Sequence, residues 1–271
     1  VMVIAGPGTG KTHLLAARIG RILLDTDAQA ANILCLTFTD AAVVAMRQRL
    51  LRFIGPEAHR IPIYTFHSFC NHVIQDNLEV FGRQELEPIS ELERIELIRQ
   101  ILSGLPADHP LKVGLSDPFF YEKHLVRLFE RMKLENWSAE QLREAIGAYL
   151  QDLPNRPKYI YQRKSGPHQK GDIKTGQINQ EAARMAKLSA AVDLYAIYEE
   201  AKYRVRRYDY TDMILWVLRA FAEDELLLLN YQERYLYLLV DEYQDTNGSQ
   251  NQLIRQLTSY WEMPNVFIVG G

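Results

Sequence analysis

The sequence predicts an α/β fold in which a parallel sheet is flanked by helices and interrupted by a mostly helical insertion. First, a glycine-rich turn separates a short apolar run from an amphipathic segment near the start of the chain. Second, apolar runs then alternate with helix-like segments, a rhythm typical of βαβ crossovers in a parallel sheet. Third, a long stretch with helical periodicity precedes two more apolar runs, at residues 235–240 and 266–269.

The individual elements follow from local patterns. The apolar run at residues 1–5 predicts the first strand, and Asp40 is the expected N-cap of a helix at residues 41–53. The same patterns predict further strands at 32–39, 61–66, 235–240 and 266–269, and helices at 14–24, 68–77, 210–221 and 249–257.

Composition excludes several classes of protein. Of the 271 residues, 47% are hydrophobic and 24% are charged, as in ordinary globular proteins. No run approaches the roughly 18 apolar residues of a membrane span, so we expect no membrane partner. Cys35 and Cys70 lack metal-ligand spacing, which favours buried, reduced thiols and a cytoplasmic protein. Because the net charge is −3, any nucleic-acid binding must use a local basic surface.

The helical stretch divides the chain. We predict that residues 1–84 and 208–271 form one discontinuous domain and that residues 85–207 form an inserted helical subdomain, with helices near 91–102, 121–132, 139–150 and 181–207. Within the insertion, residues 155–180 lack periodicity, and Tyr159 and Tyr161 are interleaved there with six cations and a single acid. This loop either tracks a nucleic-acid backbone and stacks on bases, or is a solvated loop without a partner; the sequence leaves both readings open.

The glycine-rich turn meets the phosphate-binding pattern G-x-x-x-x-G-K-T in full. Glycines let backbone N–H groups curl toward an anion, and the following helix adds its positive dipole end. Lys11 would reach the β- and γ-phosphates of ATP, and the Thr12 hydroxyl would hold Mg²⁺. A turn that is glycine-rich without binding anything is the alternative, and the agreement of pattern and flanks disfavours it. The predicted nucleotide-binding residues are Gly6, Pro7, Gly8, Thr9, Gly10, Lys11 and Thr12.

Two carboxylates, Asp241 and Glu242, follow directly after the apolar run at 235–240. Ligands of open α/β sheets bind at the carboxyl ends of the strands, so we expect this pair to share a site with the phosphate loop. Asp241 would hold Mg²⁺, and Glu242 would orient or deprotonate the water that attacks the γ-phosphate. The alternative is that Asp241 only caps the next turn, and the complete phosphate loop favours the catalytic reading.

Five motifs resemble, in the same order, those of the UvrD/Rep-like superfamily 1 DNA helicases. They are residues 5–12 (motif I), 37–47 (motif Ia), 65–69 (motif Ib), 209–212 (a short Asp-Phe motif) and 239–247 (motif II). The long form of motif II is specific to that family. The resemblance implies the first RecA-like domain of an ATP-driven motor that moves 3′ to 5′ on single-stranded DNA and unwinds duplex junctions, with a second RecA-like domain in the same protein.

Further roles come from this resemblance. In the family, motifs Ia and Ib face the single strand, and Gln244 would couple the nucleotide to the DNA side as part of the catalytic set. Phe38 and Phe66 can instead end strands and pack in the core, and His67 can be a structural residue of its turn. The residues that would line the DNA track are Thr37, Phe38, Thr39, Thr65 and His67.

Departures from the family pattern and rival functions set the remaining expectations. Asp40-Ala41 replaces the usual Asn-Lys, which removes a positive charge, and Gly271 stands where motif III continues with Asp. The chain begins inside one apolar run and ends after another, so we expect a fragment that hydrolyses ATP poorly alone. The rival functions are an ATPase that acts as a DNA-bound switch or clamp without unwinding, and a degenerate helicase kept for protein contacts. The intact phosphate loop and acidic pair disfavour the second rival.

Overall fold

The computed structural model describes residues 1–4, 6, 10–82, 85–112 and 117–271. The chain divides into two compact units. The first, which we call the sheet unit, comprises Val1–Gln84 and Asp209–Gly271, and the second, the helical unit, comprises Glu85–Tyr208.

The sheet unit is built on a parallel sheet. In chain order, the strands of the described residues are β1 (Met2–Ile4), β2 (Ile33–Thr37), β3 (Ile63–Thr65), β4 (Glu87–Pro88), β5 (Arg207–Tyr208), β6 (Tyr237–Val240) and β7 (Val266–Gly270). Five of them form one sheet in the order β1-β7-β6-β2-β3, and each neighbouring pair is parallel. The predicted α/β class, a parallel sheet flanked by helices, is confirmed.

The helices lie close to their predicted positions, except that the short helix at Leu78–Phe81 was not predicted and that two further helices differ as described below. In the described residues they are α1 (Lys11–Asp25), α2 (Asp40–Ile54), α3 (Phe66–Asp76), α4 (Leu78–Phe81), α5 (Glu91–Gly104), α6 (Glu122–Glu135), α7 (Ala139–Asp152), α8 (Thr175–Arg204), α9 (Tyr210–Glu223), α10 (Glu225–Arg234) and α11 (Gly248–Thr258). Helix α10 was not predicted, because its run of consecutive leucines hides the helical period. Helix α8 begins at Thr175, inside the segment expected to be a loop.

The position of β2 in the core of the sheet unit explains why its sequence is a continuous run of mostly apolar residues. All five residues of β2 are buried, as expected for a strand covered by helices on both faces. Cys35 is among them, and burial raises the pKa of its thiol to about 12. Cys35 and Cys70 are both free and buried, which confirms the expectation of buried thiols. The residues that make up this core include Leu15, Ile19, Ile33, Met46, Leu50, Leu239 and Val269.

Threonine hydroxyls cap the N-termini of the helices that follow β2 and β3. Asp40 was expected to cap α2, and this is wrong: the Thr39 hydroxyl accepts the N–H of Ala42 at 3.1 Å. Asp40 is instead the first helical residue, where its charge favours the helix dipole. At α3, the Thr65 hydroxyl accepts the N–H of Ser68 at 3.1 Å, and Ser68 Oγ accepts the N–H of Thr65 at 2.8 Å. Each strand therefore turns into its helix within two residues.

The helical unit has a core of its own, in which α5, α6 and α8 meet. Strands β4 and β5 form a short parallel pair, which the sequence did not predict. No helix within the described ranges combines the length and apolar content needed to cross a membrane. The residues of this core include Leu97, Ile98, Leu125, Phe129, Val192 and Tyr198.

The segment expected to be an irregular loop at residues 155–180 has more structure than its composition suggested. It contains a 3-10 turn at Pro157–Tyr159, antiparallel bridges between Ile160 and Ile173 and between Ser165 and His168, and the first turns of α8. Tyr159 is 2% exposed, so its ring cannot stack on bases as one of the two open readings of this segment required.

We expect Leu50→Ala to destabilise the sheet unit by about 2–5 kcal/mol, because Leu50 is fully buried in the core and truncation leaves a cavity. The matched control is Leu24→Ala, since Leu24 also lies on a helix but is 85% exposed, and its effect should stay within about 0.5 kcal/mol. Denaturant unfolding measures both variants. Equal effects would contradict the assigned core.

Candidate active site

The phosphate loop leads into α1 at the carboxyl edge of the sheet. Gly10 precedes the helix with φ of 84°, the left-handed region in which a side chain is strained, so glycine suits this position. Among the described residues no side chain caps α1, so the N-terminal turn of the helix carries no side-chain acceptor. Pro7, Gly8 and Thr9 of the predicted loop lie outside the described residues, whereas Gly6 is described and exposed.

Lys11 and Glu242 form the central contact of the site. Lys11 Nζ donates to Glu242 Oε2 at 2.6 Å, and the Lys11 side chain is only 10% exposed. Glu242 has φ of 49° and ψ of 43°, a left-handed conformation that is uncommon for a residue with a side chain. Gln244 Nε2 donates to the same carboxylate oxygen at 2.7 Å. The carboxylate of Glu242 is therefore held between an ammonium and an amide.

These donors fix the charge of Glu242. The hydrogen bond from Lys11, followed by that from Gln244, lowers the pKa of the Glu242 carboxyl below its usual value. Glu242 is therefore ionised at neutral pH, the form that a general base requires.

Asp241 and Thr12 are brought together on the buried side of the same edge. The Asp241 N–H donates to Leu36 O at 3.0 Å, which extends the pairing of β6 with β2. Asp241 is 4% exposed, and Thr12 Oγ1 lies 3.5 Å from Asp241 Oδ2. Burial, opposed by a backbone hydrogen bond from Glu242, raises the pKa of the Asp241 carboxyl.

The pairing of Thr12 with Asp241 suits a hard divalent cation. A hydroxyl and a carboxylate that converge within hydrogen-bonding range are the oxygen ligands that Mg²⁺ prefers. A bound cation would also relieve the cost of keeping the buried Asp241 charged. The residues predicted from the sequence to hold Mg²⁺ are thus neighbours, although 229 positions separate them in the chain.

The end of β7 contacts the turn that carries Gln244, a feature that sequence reasoning missed. Gln244 Oε1 accepts the N–H of Gly271 at 3.0 Å. A Cβ on Gly270 would lie 3.0 Å from that same oxygen and 3.4 Å from the backbone nitrogen of Gln244, so a side chain at this position would require Gln244 to shift by a few tenths of an ångström. The available signal was the pair of glycines at the end of an apolar strand.

The residues expected to line a DNA track fall into two groups. Thr37 and Thr65 are buried, and the Thr37 hydroxyl has no hydrogen-bond partner within the described part of the chain. Phe38, Thr39 and His67 present side-chain surface next to them. Burial lowers the pKa of the His67 imidazole, which keeps it neutral at physiological pH.

Ring contacts decide one of the open alternatives. The Phe38 and Phe66 centroids are 5.5 Å apart with the rings tilted by 59°. Phe66 is fully buried, so the reading in which it packs in the core is confirmed, whereas Phe38 is half-buried and keeps an exposed part.

Other residues of the matched motifs have structural roles. Arg47 Nη1 donates to the carbonyl oxygens of Ala58 at 2.6 Å and Ile61 at 2.8 Å, which ties α2 to the chain before β3. Asp209 and Asp212 form a capping box that begins α9.

Comparison with known proteins agrees with this geometry. The profile of the family described as UvrD/REP helicase N-terminal domain matches residues 1–271. The chain is 25% identical over 271 residues to the ATP-dependent DNA helicase PcrA of Bacillus subtilis, covering all of this chain and 30% of that protein. It is 26% identical to PcrA of Staphylococcus aureus strain Mu50, covering all of this chain and 31% of that protein.

A third relative extends the comparison. The chain is 28% identical over 280 residues to a probable DNA helicase II homolog of Mycoplasma pneumoniae, covering 99% of this chain and 32% of that protein. The chain thus spans about a third of the length of the curated relatives that it matches.

We expect Asp241→Asn to stabilise the folded chain at pH 7. The folded-state pKa of Asp241 is raised, so its ionisation disfavours folding: the cost begins as the pH rises above the unfolded-state pKa and is complete above the folded-state pKa, and asparagine removes the charge. A gain of about 1 kcal/mol raises the unfolding midpoint of a chain of this size by roughly 2–4 °C. Thermal unfolding across a pH series should show the gain shrinking as the pH falls through the folded pKa.

The matched control is Asp27→Asn, which removes an exposed carboxyl of the same unit and should leave the midpoint unchanged. A midpoint for Asp241→Asn at or below that of the unaltered protein at pH 7 would refute the assigned cost of the buried carboxylate.

Proposed function

Because the chain belongs to the UvrD/REP helicase N-terminal domain family, we propose that its sheet unit is the ATP-binding motor domain of a DNA helicase. In this proposal the sheet unit is the first RecA-like domain, and the helical unit is its inserted subdomain. The single observation that carries the proposal is the contact between Lys11 and Glu242, because it joins the phosphate loop to the acidic pair.

ATP would bind at the carboxyl edge of the sheet. The backbone of residues 6–12 would cradle the phosphates, and Lys11 would move its ammonium from Glu242 to the β- and γ-phosphates. When bound, Mg²⁺ would neutralise phosphate charge, and Thr12 and Asp241 would hold it.

Hydrolysis would be an in-line displacement at the γ-phosphorus. The oxygen of a water forms the new bond to phosphorus, the bond from phosphorus to the β,γ-bridging oxygen breaks, and the products are ADP and phosphate. Glu242 orients the water and accepts its proton. Once Lys11 has moved to the phosphates, the hydrogen bond from Gln244 Nε2 would still hold the Glu242 carboxylate oxygen in place for this role.

Exchange of partners by Lys11 would link nucleotide binding to the strength of the base. Phosphates compete with Glu242 for the ammonium, and loss of the Lys11 hydrogen bond removes the first cause of the lowered pKa. The Glu242 carboxylate then becomes more basic as ATP binds. A higher pKa makes it a better acceptor for the proton of the attacking water.

Coupling to DNA would pass through Gln244. The Gln244 side chain hydrogen-bonds both to the Glu242 carboxylate and to the backbone N–H of Gly271. A movement of the Glu242 carboxylate would therefore displace the backbone that follows β7. In the proposed track for single-stranded DNA, Phe38, Thr39 and His67 are the accessible residues. Thr37 and Thr65 are buried beside them and would fix their positions. We propose movement 3′ to 5′ on single-stranded DNA and unwinding at duplex junctions, completed by a second RecA-like domain.

We expect Glu242→Gln, in the protein at its full natural length, to keep ATP binding and to lower ATP hydrolysis about 10²–10⁴-fold, because the general base is lost. Hydrolysis and nucleotide binding are measured with and without single-stranded DNA. The matched control is Glu57→Gln, an exposed carboxylate of the same unit, which should hydrolyse ATP normally.

The same assay separates the proposed motor from other functions. The unaltered protein should hydrolyse ATP faster with single-stranded DNA, whereas residues 1–271 alone should be about 10³–10⁵-fold slower, because the transition-state arginines would lie on the second domain. Absence of stimulation by DNA would refute the motor. Stimulation without strand separation would instead favour a DNA-bound switch or clamp.

A further inference from the structure

The segment between α7 and α8 forms a short hairpin of defined shape. Residues 160–173, which we call the basic hairpin, are joined by antiparallel bridges between Ile160 and Ile173 and between Ser165 and His168. The hairpin is therefore closed both at its base and at its tip.

Backbone hydrogen bonds hold the middle of the basic hairpin. The Tyr161 N–H donates to Asp172 O at 2.9 Å, and the Gly171 N–H donates to Tyr161 O at 2.9 Å. The Asp172 carboxylate accepts the N–H of Gln169 at 2.6 Å. Asp172 is the single acid between residues 153 and 180, so this bond directs the acid to the backbone of the hairpin.

The base of the hairpin is anchored to the helical unit. The buried Tyr159 places its hydroxyl 3.5 Å from that of Tyr149, which donates in turn to Glu181 at 3.2 Å. Lys174 Nζ donates to the carbonyl oxygen of Lys158 at 2.9 Å. These contacts fix the direction in which the hairpin leaves the unit.

The cations of this segment divide into two sets. Near the base, Arg156 pairs with Asp152 at 2.8 Å, Lys174 is held by the contact just described, and Lys158 Nζ lies 5.2 Å from the centroid of the Tyr159 ring. At the tip, Arg163, Lys164 and Lys170 are exposed, and none has an ion-pair partner in the part of the chain that the structure describes. A chain with a net charge of −3 therefore concentrates three unpaired positive charges at the end of one hairpin.

The aromatic side chains of the hairpin pack against other residues of the same segment. The Tyr161 ring stacks on His168 with centroids 4.5 Å apart and the planes within 11°, and Lys174 Nζ lies 5.5 Å from the Tyr161 centroid. Tyr159 is buried. The hairpin thus offers charge rather than stacking faces, which suits contacts with phosphates and not with bases.

We propose that Arg163, Lys164 and Lys170 bind the phosphate backbone of nucleic acid, independently of its sequence. The inference rests on the proposed function, because a DNA motor supplies the polyanion that these charges would meet. Phosphate spacing is common to single strands and duplexes, so the shared chemistry is a run of phosphates. The structured hairpin keeps its charges close together without an ordering step, which favours binding.

The test replaces the three tip cations with glutamine in the protein at its full natural length. Fluorescence anisotropy measures affinity for a single-stranded and a duplex oligonucleotide over a range of salt concentrations. Loss of three phosphate contacts should reduce the slope of log K against log salt by roughly 2–3, because each contact contributes about 0.7 on single strands and about 0.9 on duplexes. The arm in which the slope falls identifies the form of nucleic acid that the hairpin contacts.

Two control variants accompany this substitution. Arg163→Lys with Lys164→Arg and Lys170→Arg keeps the charge and should bind like the unaltered protein. The second control removes the same charge from exposed arginines of the same unit that already face acids, and should keep the slope: Arg131→Gln, Arg184→Gln and Arg204→Gln.

The outcomes separate the hairpin from the proposed function. A reduced slope in the hairpin variant alone supports the proposal. An unchanged slope, or an equal loss in the Arg131, Arg184 and Arg204 variant, overturns it while leaving the motor intact, and ATP hydrolysis stimulated by saturating single-stranded DNA would verify that the motor is present. If the unaltered protein binds neither oligonucleotide, the proposed function itself has failed.

Discussion

Parallel pairing of β1, β7 and β6 is the constraint on which the candidate site depends. It brings the carboxyl ends of these strands to one edge, so that Lys11 and Glu242 lie 2.6 Å apart although 231 positions separate them in the chain. Because β7 lies between β1 and β6, the strands that precede the two loops are separated by roughly 10 Å, two strand spacings. That gap is wide enough for the phosphates and the water of the proposed reaction, and the long side chain of Lys11 can still cross it.

Several features of this edge oppose stability, and under the proposed function they belong to the nucleotide site. The Asp241 carboxyl is buried and its pKa is raised, Glu242 adopts a left-handed backbone conformation, and the Thr37 hydroxyl is buried without a partner among the described residues. Strained or poorly solvated groups of this kind cost about 1–3 kcal/mol each and concentrate at functional sites. The buried β2 next to them supplies the apolar contacts that keep the edge folded.

The sequence predicted the features that depend on local pattern and missed those that depend on contact across the fold. The phosphate loop and the Asp241-Glu242 pair were recognisable because their chemistry requires fixed residue types in a short stretch. The close approach of Gly270 to Gln244 was missed because the two residues are distant in the chain and no local pattern relates them. The N-cap of α2 was misassigned to Asp40 because adjacent Thr and Asp residues are both good caps, and only the path of the backbone chooses between them. The order within residues 155–180 was missed because a hairpin closed by two isolated bridges leaves little periodicity.

The central claim is that the phosphate loop and the acidic pair form one nucleotide site. Its most direct test is equilibrium binding of a fluorescent ATP analogue to the protein at its full natural length, with and without Mg²⁺, for the unaltered protein and for Lys11→Ala. The account predicts binding that Mg²⁺ strengthens and that Lys11→Ala weakens strongly, because Lys11 is the cation that the phosphates take from Glu242. Equal binding by the two proteins, with no response to Mg²⁺, would contradict it.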